Sequence, residues 1–228
     1  MASETDNFLG FADVFQVGMK KTRDAIEGKG PEFLGTLYHA HTACIACIAS
    51  ILSRPDRVFP IEELQTKLRR ASVHAAVCQG IHAIEYLIAV GCYAQASSLV
   101  RQEIEAVESL RGIRLGYQKD GTTPRLKALR HLGKYYGQLT GIAHMSSHDL
   151  LTHVVSNSVG NIDHCFNPDF ARVLFGLHVT ALVGVALDMA EFRPAFERDL
   201  ITDEEDWWLS AACGVLVEEG LLPVRATC

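Results

Sequence analysis

The stretch Asn167-Pro168-Asp169-Phe170-Ala171-Arg172, running on into VLFGLHVTALVGVALD at 173–188, decides how this chain is read. An Asn side chain can accept from the free amides of a first helical turn, Pro168 presets φ for the first helical position, and Asp169 complements the positive end of the helix dipole. The 15 residues Val173 to Leu187 that follow, flanked by Arg172 and Asp188 and interrupted by His178, fall short of a membrane span, which takes about 20 residues. They predict a buried central helix ending near Phe192, with no membrane as a partner.

Outward from this helix the apolar spacing stays helical, and no segment alternates apolar and polar residues as a strand would. Helices are predicted from about Thr5 or Asp6 to Glu27, from Glu32 to Ser53, and from Pro60 to about Gly91. The third of these carries Leu64, Leu68, Ala71, Ala75, Cys78, Ile81 and Leu87 on its inward face. A helix from Cys92 to Arg111 closes at Gly112, and Gly112 to Thr123 reads as a loop. Thr123 and Pro124 then start a helix to about Met145, and Ser146 or Ser147 restarts the chain to Ser156. The last helix opens on Thr202-Asp203-Glu204-Glu205, a capping box, and ends near Gly220. With no repeat and no Pro- or Ser-rich linker, residues 1–228 read as one all-α domain, a single bundle of seven or eight helices.

Composition narrows the function classes. At 228 residues and 48% hydrophobic content the chain is long enough to bury a full core without staples. Its 27 Asp and Glu outweigh 21 Lys and Arg, so the net charge of −6 excludes a whole-protein electrostatic grip on nucleic acid or an anionic membrane. A local exception runs from Arg111 to Lys134, where seven Lys or Arg face only Asp120, a charge of +6. This segment 111–134 is the place where a small anionic molecule or RNA would be held. Seven cysteines, an odd number among apolar neighbours, and a start without a basic or apolar leader point to the cytoplasm.

Three groups of residues invite a chemical reading. Cys44 and Cys47 form a C-x-x-C pair, but in the middle of an apolar helix, where free cysteine behaves as a small hydrophobe. His74, Cys78, His82 and Glu85 share one helix face, and His144 with His148 and Asp149 with His153 make i,i+4 pairs. None matches the Glu-x-x-His pattern of bundle diiron sites, so no metal and no cofactor is expected. The third group is more specific. Arg101 and Glu105 lie one turn apart, and Tyr136, Thr140 and His144 follow on the next helix. Arg offers a two-pronged donor, Glu can hold it, and Tyr and His can exchange protons. Arg101, Glu105, Tyr136 and His144 are therefore the candidate ligand-binding residues, in a polar pocket between consecutive helices.

The segments Ala96-Ser97-Ser98-Leu99-Val100-Arg101-Gln102-Glu103-Ile104-Glu105 and Tyr136-Gly137-Gln138-Leu139-Thr140-Gly141-Ile142-Ala143-His144 resemble a family of bacterial all-helical proteins. Those proteins carry an aliphatic-Arg-x-x-x-Glu helix followed by Tyr-x-x-Leu-Ser/Thr-x-x-x-His. The resemblance covers about Gly91 to His148, and the family is distantly similar to HEPN domains, many of which are ribonucleases of toxin and defence systems. It implies a HEPN-like bundle, working as a homodimer, whose nuclease members place Arg and His at the dimer interface with four to six residues between them. Arg69 and His74, Arg125 and His131, and Arg172 and His178 have that spacing. The expected function is a non-catalytic accessory or sensor module that binds a small anionic ligand or a partner protein. A metal-independent, HEPN-like ribonuclease is the alternative.

Overall fold

A computed structural model of the chain describes residues 33–53, 64–155, 166–192 and 201–224. Among these residues there are seven α-helices and no strand: α1 (Thr36–Ser53), α2 (Leu64–Ala89), α3 (Tyr93–Arg114), α4 (Gly133–Ala143), α5 (His148–Val155), α6 (Pro168–Phe192) and α7 (Asp203–Glu218). The all-α bundle expected from the periodicity is what forms. The helix expected over residues 5–27 lies outside the described residues, as do the 54–59 linker and most of the stretch 157–167.

The central helix is α6, which packs against α1, α2, α3 and α7, while α1 also pairs with α7 and α3 with α2, α4 and α5. Its start follows the local chemistry, since the Asn167 side chain accepts from the Phe170 amide at 3.1 Å. Leu174, Leu177, Val179, Leu182 and Val185 are fully buried along it. Both α1 and α6 are long and apolar enough to cross a membrane by length and composition, but most of the α6 stretch is buried inside the bundle. Close packing of α3 on α6 depends on Gly184, where an added Cβ would stand 2.8 Å from a Val107 methyl. At the other end of the chain α7 begins with a complete capping box between Thr202 and Glu205.

Three local expectations are corrected. Helix α3 does not close at Gly112 but runs on to Arg114. Gly112 is there because the following loop folds back on it: the Tyr117 and Gln118 amides donate to its carbonyl, and a Cβ would meet that of Gln118 at 2.9 Å. Nor do Thr123 and Pro124 start a helix. Residues 122–126 carry no helical hydrogen bonds, and regular structure resumes with a 3₁₀ turn at Arg130–Leu132 that leads into α4. The buried Glu108 carboxylate on α3 accepts from the Lys127 and Leu129 amides, both at 2.7 Å, and so takes the donors that a helix would have used. On α2 the inward face is not the apolar stripe. Leu64 and Leu68 are 44% and 58% exposed, and the buried side chains are Lys67, Arg70, His74, Val77, Ile84 and Ile88. Arg70 and His74 are drawn in because α6 presents a carboxylate to them.

Candidate functional site

Helices α3 and α4 hold three of the four predicted site residues together. The Tyr136 hydroxyl donates to Glu105 Oε1 at 2.6 Å, and Arg101 Nε lies 3.7 Å from the same oxygen. Burial, and after it the Glu105 carboxylate, pushes the Tyr136 hydroxyl up to about 12, so it is a fixed donor at neutral pH. Glu108 pairs with 127 and 129 while Glu105 pairs with 136, so the chain after the loop runs antiparallel to α3. His144 is exposed and caps the C-terminal end of α4 two turns beyond Tyr136, or about 12 Å along the axis. Among the described residues its side chain makes no hydrogen bond or ion pair. Arg101, Glu105 and Tyr136 therefore form a clamp between two helices, and His144 stands apart from it.

A second polar group lies under α6. Asp188, with only 7% exposure, receives Arg70 Nε at 3.1 Å and an Arg70 terminal nitrogen at 3.0 Å, and lies 2.9 Å from His74 Nε2. Burial alone would raise its carboxyl, but His74 and Arg70 hold it below the usual carboxylate range. A third group crosses the core from α1 to α3. His41 Nε2 is 2.8 Å from Glu85 Oε1, His178 Nδ1 is 2.7 Å from Glu103 Oε2, and the two imidazole rings are 5.5 Å apart. Burial would likewise raise Glu85, yet His41, His178 and His82 hold it below the usual range. Cys44 and Cys47 are fully buried on α1, and burial pushes the Cys44 thiol up, which removes its nucleophilic form.

A cleft of about 820 Å³ opens between α3, α6, α7 and the 128–131 segment. Arg111, Arg114 and His131 reach it from the basic stretch, and Asp188 and Asp206 from the other side. Asp188 is engaged by Arg70 and His74, and Asp206 is the other acid on the lining. An apolar cavity of about 400 Å³ separates α2 from α3 and touches Glu103 and Glu105, and one of about 410 Å³ lies beneath α4 and α5. Arg101, Tyr136 and His144 line none of the three.

The three Arg and His pairs with HEPN-type spacing do not point to common places. Arg69 reaches Asp120 and the Gln118 carbonyl at the surface, whereas His74 is buried on Asp188. Arg172 pairs with Glu219, whereas His178 faces Glu103. Arg125 is exposed, and His131 Nε2 lies 3.0 Å from the Leu221 carbonyl. Sequence reasoning missed the buried acids Glu103, Glu108 and Asp188. The signal was present: each stands at an apolar-face position of its helix, where an unpaired carboxylate would be costly. Comparison with protein-family models, curated proteins and solved structures finds no match to the chain.

Proposed function

We propose that this chain is a non-catalytic helical accessory or sensor module, of the kind that serves bacterial defence or toxin systems, and that it binds a small phosphate-bearing anion. The observation that carries this reading is the meeting of Arg111, Arg114 and His131 in one large cleft of a chain whose net charge is −6. The volume of about 820 Å³ suits a small molecule. Two guanidinium groups can each grip a phosphate through paired donors. In this reading the Arg101, Glu105 and Tyr136 clamp positions rather than binds: with Glu108 it fixes the segment that carries His131. A HEPN-like relationship, a homodimer and a cytoplasmic setting belong to the same proposal.

The test is calorimetric titration of the purified chain with inorganic pyrophosphate and, separately, with a short single-stranded RNA. Saturable pyrophosphate binding that weakens about tenfold or more in Arg111→Ala and Arg114→Ala is expected, the loss of one charged hydrogen-bonding group. Binding indifferent to both arginines but lost in Arg101→Ala would move the site to the α3–α4 clamp. EDTA-resistant RNA cleavage abolished by His131→Ala would replace the binding module by a ribonuclease.

A further inference from the structure

Three helices bring His41 of α1, Glu85 of α2 and His178 of α6 to one place in the interior. One ring nitrogen from each histidine and one oxygen of Glu85 all lie within 4.8 Å of one another. We propose that these three side chains bind a divalent first-row transition ion, with zinc the member best suited to two imidazoles and one carboxylate. A tetrahedral ion holds neighbouring N and O ligand atoms about 3.4 Å apart, so side-chain adjustments on the order of 1 Å complete the set.

His178 is fully buried. Its Nδ1 faces Glu103 Oε2 at 2.7 Å, while its Nε2 is buried with no hydrogen-bond partner among the described residues. A carboxylate beside Nδ1 fixes the proton there and leaves a lone pair on Nε2, the outer-sphere arrangement that orients and strengthens a histidine ligand. His41 Nε2 gives a second sign. It lies 2.8 Å from Glu85 Oε1 and is itself buried. Two separate histidine–carboxylate pairs would account for Nδ1 of His178 and for Glu85, but not for Nε2 of His178.

Charge points the same way. Glu85 and Glu103 bring two carboxylates to this place, and among the described residues no Lys or Arg pairs with either. A doubly charged cation offsets them where burial would otherwise make them costly. Phe175 walls the site, with its ring centroid 5.1 Å from that of His41 and 6.0 Å from that of His178. The way in is at Glu85, whose side chain is 30% exposed and is bordered by the solvent-facing His82. Three protein ligands leave one position for water or another ligand. Helix spacing gives no hint of this set, because each ligand comes from a different helix.

Metal-stripped full-length protein, titrated with Co²⁺ and followed by its visible absorption, then challenged with Zn²⁺, tests the site. One Co²⁺ per chain with the intense bands of a four-coordinate ion, displaced by Zn²⁺, is expected. His41→Ala and Glu85→Gln should abolish the bands while circular dichroism stays helical. Glu103→Gln should weaken Zn²⁺ binding about 10- to 100-fold by loosening His178, and His82→Ala should leave the stoichiometry unchanged. Because His178→Ala removes a fully buried side chain, the deciding variants are those of the more accessible His41 and Glu85. A folded wild-type chain that gives no saturable Co²⁺ spectrum overturns the proposal. So does Co²⁺ binding that survives both His41→Ala and Glu85→Gln.

Discussion

Asp188 closes the longest apolar run in the chain and would be a stranded charge if α2 did not bring Arg70 and His74 to it. Its folded-state acidity is stronger than that of an ordinary carboxyl despite burial, because those two groups favour the charged form. A carboxyl with a depressed pKa stabilises the fold above its unfolded value, and that contribution disappears as pH falls through the folded value. Stability should therefore decline below about pH 4, the ordinary range of an Asp carboxyl. Asp188→Asn keeps the shape and removes the charge. It should cost about 3 kcal/mol at pH 7, the scale of breaking a buried ion pair, and should flatten the acid limb. Chemical denaturation of both proteins across pH 3–7 measures this. Arg111, Arg114, His131 and Asp206 line the same cleft as Asp188. An unchanged acid limb in Asp188→Asn would assign the pH dependence to another group.

At the scale of elements, one close approach and one buried carboxylate help to set the bundle. Gly184 lets α6 sit against Val107 of α3, so Gly184→Ala should destabilise by about 1–3 kcal/mol through overpacking, even though alanine is the better helix former. Thermal unfolding of the two proteins measures the loss. The Glu108 carboxylate holds the chain between α3 and α4 in its non-helical path. Glu108→Ala strands two amide donors and should cost about 3 kcal/mol, with faster hydrogen exchange at the Lys127 and Leu129 amides. Glu108→Gln keeps an acceptor oxygen and should cost less than half as much. Equal losses in Ala and Gln would mean that charge, and not the two hydrogen bonds, fixes this segment.

At the scale of the whole molecule, α2 turns Leu64 and Leu68 outward, with exposures of 44% and 58%, and buries Arg70 and His74 instead. This face supports the proposed homodimer, because a helix that shows its apolar stripe to water gains by covering it. Light scattering should give twice the mass of one chain at micromolar concentration, and Leu68→Glu should shift the population to single chains without loss of helicity. A wild-type chain that stays single at high concentration removes the dimer from the proposal.

The sequence by itself determined the helical class and several helix ends. Those features rest on contacts within four residues: Asn167 and Pro168 at the start of α6, the Thr202 and Glu205 box at the start of α7, and the glycines that end α2 and α7. The Glu105 to Tyr136 contact was also legible, since both residues lie on consecutive helices joined by a loop that lets them pack antiparallel. What only the tertiary structure decided is where carboxylates go. Glu108 redirected residues 123–129 from helix to irregular chain, Asp188 turned the polar face of α2 inward, and Glu85 with Glu103 gathered His41 and His178 from separate helices. The physical reason is one and the same. A buried charge must find its partners wherever the fold places them, and that demand overrides propensities that local spacing alone can express.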